Sequence, residues 1–210
     1  MNRRPRQRGR PADAENEDRR ADLLDEAERQ FAEQGYAATS VRSIAEAAGV
    51  TPAMVHYYFG SKRELLTAVL DRVLQPLMEK MAALKAAPEP ALDPVIEALA
   101  STMAAHPALP RLVTREALLP GGELADHFAE HYAPRLGGLL PGLIARGQSE
   151  GRLSDRHDPR HLALFLIGLS MFPFIARPLA EPVLGLDYDK DGGAGLAREI
   201  VAIFQRAIQP

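Results

Sequence analysis

Apolar residues recur every three or four positions along most of the chain, which is the spacing of amphipathic helices. The sequence has no sustained alternation of apolar and polar residues of the kind that half-buried strands show. Breaks rich in proline or glycine separate the periodic segments, and Pro76 either kinks the fourth segment or starts another. The pattern predicts an all-α protein with about nine helices, near residues 17–34, 41–48, 52–58, 62 onward, 91–105, 107–119, 123–150, 159–180 and 193–208.

Capping residues mark where the first helices begin. Asn16 has a side chain that suits the N-cap of the first helix. Thr51 precedes Pro52, and proline suits the first helical position because that residue's N–H has no partner within the helix. Ser61 and Glu64 have the spacing of a capping box, in which each side chain bonds the other residue's backbone N–H. These signals predict a helix start at each of the three places.

Two short helices joined by a glycine turn stand out between residues 39 and 66. The positions where the two helices would pack are those of Ile44, Ala45, Ala48, Val50 and Val55. Gly49 allows the positive φ that the turn requires. The opposite side of the second helix of the pair is free to enter a DNA groove. The segment therefore predicts a helix-turn-helix, whose outward residues are Ala53, Met54, His56 and Tyr57.

This stretch resembles the tetracycline-repressor (TetR) family of transcriptional regulators. The resemblance covers about residues 20–70, and it is specific because order, spacing and caps all agree. It implies an N-terminal helix-turn-helix domain followed by a helical domain that binds a small molecule and dimerises. The matching residues are Phe-Ala-Glu-Gln-Gly-Tyr at 31–36, Thr-Ser-Val-Arg-Ser-Ile-Ala at 39–45, Ala-Gly-Val at 48–50, Tyr-Tyr-Phe-Gly-Ser-Lys at 57–62 and Glu-Leu at 64–65.

The resemblance also implies which side chains meet DNA. Hydroxyls at helix starts and Lys62 would bind phosphates, the two tyrosines would contact the backbone, and the outer face of the third helix would meet bases. His56 departs from the family, in which many members have tyrosine, so the resemblance does not fix the base contact at this position. Phe59 is expected to be a core aromatic. The expected DNA-binding residues are Ser40, Arg42, Thr51, Pro52, Ala53, Met54, His56, Tyr57, Tyr58 and Lys62.

Charge is distributed unevenly, although the net charge is only -3. Residues 1–12 carry five arginines and no acid, and the helix-turn-helix is also locally basic. The sequence Arg8-Gly9-Arg10-Pro11 is similar to the core of an AT-hook, whose arginines lie in a narrow minor groove. The alternative is a disordered tail with non-specific attraction to phosphates. We expect DNA contact of some kind from Arg8 and Arg10.

The C-terminal part carries aromatic and methionine residues of the kind that line ligand pockets. The resemblance implies a cavity between the fourth and eighth helices, for a small-molecule effector whose identity the sequence does not give. The candidate pocket residues are Met103, Phe128, Tyr132, Phe165, Met171 and Phe172. The resemblance further implies a homodimer in which the last two helices pair across a two-fold axis. The candidate interface residues are Leu196, Ile200 and Phe204, from the apolar stripe of the last helix.

Other chemistry has weaker support. Residues 147–151 match G-x-S-x-G, but that motif needs a preceding strand, and Gly151 is more typical of a helix end. His127 and His131 have the spacing of metal ligands, with a solvated or cavity-lining face as the alternative. The chain has no cysteine, which excludes disulfides and thiolate metal sites. We therefore expect neither enzymatic activity nor a metal or other cofactor.

These observations predict three parts: a basic disordered arm at 1–15, a helix-turn-helix domain at 16–65, and a ligand-binding and dimerisation domain at 66–210. The expected function is a repressor that an inducer releases from a palindromic operator. The alternatives are an all-helical enzyme or ligand carrier with an incidental helix-turn-helix, and a DNA-binding activator or nucleoid-like protein. Neither a signal peptide nor a membrane span is expected, because no apolar run is long enough, so we expect a cytoplasmic protein.

Overall fold

The computed structural model describes residues 12–87, 91–188, 190 and 193–209. Helices and their connections make up this part of the chain, and no strand occurs in it, which confirms the all-α prediction. The described residues form α1 (Ala12–Gln34), α2 (Val41–Ala47), α3 (Pro52–Phe59), α4 (Lys62–Ala86), α5 (Asp93–Ala105), α6 (Leu109–Val113), a π-helical turn (Thr114–Leu118), α7 (Ala125–His131), α8 (Ala133–Ser149), α9 (Pro159–Ile175), α10 (Arg177–Leu184) and α11 (Ala194–Ala207).

Two segments that the pattern predicts as single helices are each divided in two. The predicted helix at 123–150 breaks at Tyr132, and the predicted helix at 159–180 breaks at Ala176. In both cases a proline stands at the second position of the new helix, Pro134 in α8 and Pro178 in α10. Proline lacks the N–H that would continue the preceding helix and clashes with its last turn. The described residues therefore contain eleven α-helices rather than about nine.

The first helix and Pro76 also correct the sequence-based boundaries. Helix α1 begins at Ala12, so Asn16 lies inside the helix and is not its N-cap. The stretch Ala12-Asp13-Ala14-Glu15 contains good helix formers, which explains the earlier start. Helix α4 continues through Pro76 to Ala86, so no new helix starts at that proline.

The chain divides into two compact units between Val69 and Leu70, and the predicted boundary after residue 65 falls inside α4. The first unit contains α1, α2, α3 and the beginning of α4. Its core consists of fully buried side chains that include Leu23, Phe31, Ile44, Val55 and Leu65. The second unit contains the rest of α4 and all later helices. Its largest fully buried side chains include Leu70, Met81, Ile96, Leu109, Tyr132 and Phe174.

Among the residues described, no single helix has the length and hydropathy to cross a membrane. Helices α9 and α10 reach those values only as a pair, which is bent by 72° at the break between them.

Candidate nucleic-acid interface

A capping box and a glycine turn fix the helix-turn-helix. The Ser40 hydroxyl accepts a hydrogen bond from Ser43 N at 2.9 Å, and Ser40 N donates to the Ser43 hydroxyl at 3.3 Å. Gly49 has φ of +68°, a conformation that side chains with a Cβ rarely adopt. Thr51 then takes the extended N-cap conformation ahead of Pro52. The turn predicted from the sequence is therefore present, with Ser43 as a capping partner that the sequence analysis missed.

Gln30 joins α1 to this capping box. Its side chain is almost fully buried, and its Nε2 donates to the backbone oxygen of Ser43 at 3.2 Å. The Ser43 hydroxyl in turn donates to Gln30 Oε1 at 2.9 Å. A buried amide needs such partners because leaving it unpaired is unfavourable. This pair orients the start of α2, and no local sequence signal marks it, since the two residues are 13 positions apart.

The small core of the first unit determines which side of α3 faces outward. Ile44, Ala45 and Val55 are fully buried, and Phe59 is 8% exposed, as expected for a core aromatic. The Arg20 guanidinium lies 5.1 Å from the centre of the Phe59 ring. The opposite side of α3 is open, and Tyr57 there is 76% exposed. The outer face of α3, defined as Ala53, Met54, His56 and Tyr57, consists of three exposed residues and the half-buried Met54.

Tyr58 has a different environment from its neighbour Tyr57. Its side chain is half-buried, and its hydroxyl donates to Oδ1 of Asn16, which connects α3 to α1. The two tyrosine rings meet edge to face, with centroids 5.2 Å apart. The contact with Asn16 gives that residue a role in positioning α3, which replaces the capping role expected from the sequence.

Within the described part of the chain, the two cations predicted to bind DNA already have partners. Arg42 Nε lies 2.7 Å from Glu46 Oε1, and this carboxylate raises the pKa of the Arg42 guanidinium. Lys62 Nζ lies 4.1 Å from the centre of the Tyr36 ring. The Arg42–Glu46 pair is exposed, and exposed ion pairs stabilise a fold little. A phosphate can therefore replace Glu46 as the partner of Arg42 at small loss.

Helix starts contribute the hydroxyl groups of the predicted interface. The Thr51 side chain makes no capping hydrogen bond to α3, and the residue is exposed. The Ser61 hydroxyl accepts from Glu64 N at 3.1 Å, which is one half of the predicted capping box. Helix starts present backbone N–H groups that attract phosphate. Arg8 and Arg10 lie outside the described residues, so the contact expected of them stays a prediction.

Both units match known protein families. Residues 23–69 match the family model described as bacterial regulatory proteins of the tetR family. Residues 88–202, more than half of the chain, match the tetracyclin repressor-like C-terminal domain. The chain belongs to the TetR family. It is therefore a DNA-binding transcriptional regulator, and its helix-turn-helix is not incidental.

Curated relatives share a limited stretch with this TetR-family chain. The HTH-type transcriptional regulator BetI of Rhizobium meliloti is 45% identical over 73 residues, which are 34% of this chain and 36% of that regulator. The BetI regulator of Brucella canis is 40% identical over 73 residues, which are 34% of this chain and 37% of that regulator. The match thus spans little more than a third of each relative.

Solved structures match over nearly the whole chain. The ketosteroid transcriptional regulator KstR2 of Mycobacterium tuberculosis has a TM-score of 0.73 at 22% identity, with 91% of this chain and 95% of that chain covered. The fatty acid degradation regulator FadR from Bacillus halodurans has a TM-score of 0.62 at 17% identity, with 94% and 96% covered. At this identity the likeness concerns the fold alone.

The six candidate pocket residues separate into two groups in the second unit. Met103 and Tyr132 are buried, and Phe128 and Met171 are half-buried. Phe165 and Phe172 are 59% and 66% exposed, so they do not line an enclosed cavity. Their side of α9 faces outward because the other side, with Leu162, Leu166 and Phe174, packs in the core. Phe165 and Phe172 lie instead on an open apolar groove of about 710 Å³, which Ile203 also lines.

Two of the three candidate interface residues of α11, Ile200 and Phe204, are also corrected. Ile200 is 6% exposed and Phe204 is 2% exposed, so both are covered by their own chain, and Leu196 is half-buried. Ile200 clusters with Ala100 of α5 and Ala197, because the apolar stripe of α11 packs on α5. The exposed large apolar side chains of α9 and α11 form what we call the α9–α11 face: Leu164, Phe165, Leu169, Phe172 and Ile203.

A polar cluster lies between α4 and α7 in the second unit. The Tyr132 hydroxyl donates to Asp71 Oδ1 at 2.6 Å, and His127 Nε2 contacts the same oxygen at 2.8 Å. Burial and then the hydrogen bond to Asp71 raise the pKa of the Tyr132 hydroxyl. The rings of His127 and His131 stack with centroids 4.3 Å apart. His127 is thus engaged by Asp71, and the described residues contain no group of three or more histidines and acids that could hold a metal ion.

The G-x-S-x-G segment is the end of a helix. Ser149 is the last residue of α8, and its hydroxyl donates to the Arg146 carbonyl at 2.9 Å. Gly151 follows with φ of +69°, as expected for a residue that ends a helix. The strand that must precede a nucleophilic serine is not there, because α8 precedes it. The motif therefore has no hydrolase geometry.

Proposed function

We propose that this chain is a repressor that binds a palindromic operator as a homodimer and is released by a small-molecule inducer. The observation that carries the proposal is the outer face of α3, which presents Tyr57 and His56 to solvent while Val55 and Phe59 pack in the core behind it. Aromatic side chains with polar tips suit a DNA groove, where ring and hydrogen-bonding group both find partners. In this proposal the chain acts in the cytoplasm and has no enzymatic activity.

The proposed DNA contacts are the ten residues expected from the sequence. Arg42 and Lys62 exchange Glu46 and the Tyr36 ring for phosphates, and Ser40 and Thr51 contribute hydroxyls at helix starts. The basic arm adds Arg8 and Arg10. Deletion of residues 2–11 should weaken operator binding and reduce its salt dependence, because fewer phosphates are neutralised. Unchanged affinity and salt slope would contradict a role for the arm.

The proposed dimer uses the α9–α11 face. Its large apolar side chains are exposed together, and contiguous apolar surface of this kind marks a site of association. A two-fold dimer places the same face of both copies in contact, so each side chain contributes two symmetry-related contacts to the interface. Two copies of α3 related by this axis match the two halves of a palindrome.

The proposed effector is a predominantly apolar molecule that binds in the second unit. The half-buried Phe128 and Met171 and the buried Met103 are the candidate contacts. One structural neighbour is described as a ketosteroid transcriptional regulator and another as a fatty acid degradation regulator, which favours a lipid-like ligand. Asp71 and Tyr132 join α4 to the α7–α8 junction, so a ligand that moves this junction also acts on α4. Release requires that the ligand bind better to the form with lower operator affinity.

The test is a fluorescence-anisotropy titration of the full chain on duplexes from its neighbouring promoters, with and without a panel of steroid and fatty acyl compounds. We expect specific binding that weakens with salt, a dimer on each operator, and a loss of affinity with an active compound. The variant Tyr57→Ala should lose binding, whereas His157→Ala, at an exposed position in the second unit, should not. Equal affinity with and without every compound would contradict induction. Failure to bind any duplex specifically would contradict operator binding.

A further inference from the structure

The side chains of α3 restrict how this helix can recognise bases. The sequence Pro-Ala-Met-Val-His-Tyr-Tyr-Phe contains no arginine, lysine, asparagine or glutamine, the residues that make the common two-point contacts to purines. Ala53 and Met54 offer apolar surface alone. Tyr58 already donates its hydroxyl proton to Asn16. Directional hydrogen bonding from the outer face of α3 therefore depends on His56 and Tyr57.

A backbone carbonyl fixes the tautomer of His56. Its Nδ1 lies 2.7 Å from the carbonyl oxygen of Gly60. A carbonyl has no proton to give, so Nδ1 must carry the proton and donate it. In the neutral ring the proton is then absent from Nε2, which is an acceptor on the far side of the imidazole.

Gly60 holds its carbonyl in place through the turn after α3. This residue has φ of +80°, where a side chain would strain the backbone, and a Cβ would lie 2.5 Å from Glu64 Oε2. The position of the acceptor for Nδ1 is thus set by a turn that requires glycine. An exposed imidazole held at one nitrogen presents the other nitrogen in a defined direction.

We propose that His56 recognises an exocyclic amino group, the N6 amine of adenine or the N4 amine of cytosine, through Nε2 in the major groove. This inference rests on the proposed operator binding and specifies one base position in each half-site. In the major groove a lone acceptor pairs with these two amines and not with guanine O6 or N7, nor with thymine O4, which are acceptors themselves. Tyr57 does not discriminate in this way, because a phenol both donates and accepts.

The first experiment selects duplexes from a random-sequence library at pH 8. The full chain, His56→Ala and the matched control His157→Ala are compared. We expect one palindrome from all three proteins, with one base pair preferred at one position per half-site by the wild type and the control, and no preference there in His56→Ala. The adenine or cytosine of that pair then carries the amino group that His56 contacts. If no palindrome is enriched by the wild type, the proposed function fails. If His56→Ala keeps every base preference that the wild type shows within this palindrome, this inference alone fails.

The second experiment removes the amino group from the selected base and leaves the rest of the operator intact. Purine replaces adenine, or 2-pyrimidinone replaces cytosine, at that position. We expect the wild type and His157→Ala to lose about 3- to 10-fold in affinity, the contribution of one neutral hydrogen bond, and His56→Ala to lose less than about 2-fold. An equal loss in wild type and His56→Ala would overturn the proposal.

Discussion

The outer face of α3 and the α9–α11 face are both exposed, but their chemistry differs. On α3 the prominent side chains are Tyr57 and His56, which carry polar atoms that water or DNA can satisfy. On α9 they are Phe165 and Phe172, which carry none and are each more than half exposed. Covering an exposed phenyl ring lowers the free energy because apolar surface leaves water. Aromatic side chains with polar groups are stable at a surface in contact with water. The difference favours a nucleic acid for the first face and a protein partner for the second.

The same contrast exists within α11, over a single step of the chain. Ile203 is 56% exposed, whereas Phe204 is 2% exposed. Ile203 belongs to the α9–α11 face, and Phe204 belongs to the core that α11 shares with α9. A substitution of Phe204 should therefore affect folding, and a substitution of Ile203 should affect association.

The largest expected effect is on folding, from Phe204→Ala. Removal of a fully buried phenyl ring leaves a cavity, and we expect the free energy of unfolding to fall by about 3–5 kcal/mol. Urea unfolding at one fixed protein concentration measures this change. Leu119→Ala, at an exposed position outside both faces, should change it by less than about 0.5 kcal/mol. Similar values for the two variants would show that Phe204 is not a core residue.

The next effect is on association, from Phe165→Glu. A carboxylate placed at the centre of an apolar contact should weaken the dimer by about 2–4 kcal/mol and leave the helical content unchanged. Light scattering measures the mass, and anisotropy measures the accompanying loss of operator affinity. Leu119→Glu is the matched control, since it adds the same charge to another exposed apolar site. A dimer that survives Phe165→Glu with full affinity would remove the α9–α11 face from the interface.

A smaller effect is expected on folding, from a substitution in the polar cluster of Asp71, His127 and Tyr132, which belongs to neither face. Tyr132→Phe removes the hydroxyl that donates to Asp71 and should lower the free energy of unfolding by about 1–3 kcal/mol. Because the folded chain raises the pKa of Tyr132, this residue stabilises the fold below pH 10 and progressively less above it, as the unfolded chain loses the proton first. Tyr132→Phe should therefore lack part of the alkaline decline in stability. Identical pH profiles would contradict the raised pKa of Tyr132.

The smallest effect concerns single phosphate contacts. Arg42→Ala and Lys62→Ala should each weaken operator binding several-fold and reduce the slope of log affinity against log salt by about one. Lys80→Ala, in the second unit, should leave the slope unchanged. The folding of Arg42→Ala should match the wild type, because its pair with Glu46 is exposed. A salt slope that none of these variants changes would place the phosphate contacts elsewhere.

Much of the first unit could be predicted from sequence because its signals are local. Gly49 in the turn, Pro52 at a helix start and buried Ile44 are each recognisable from neighbouring residues. The contacts that were missed join distant positions, as in Gln30 with Ser43 and Asn16 with Tyr58. A polar residue inside a helix gives no local indication of its partner. The positions of DNA contacts stay predictions, while the geometry of the face that would make them is defined.

The amino-acid sequence alone determined the helical class, the helix-turn-helix and the family, because helix period, caps and glycine turns act over a few residues. Tertiary structure decided where the helices of the second unit bury their apolar sides. Phe204 and Phe165 are both phenylalanines on amphipathic helices, yet one is inside and the other outside. An apolar stripe specifies that it must be covered, but the covering helix can belong to the same chain or to another. Only the packing of α11 on α5 and α9 distinguishes these two cases.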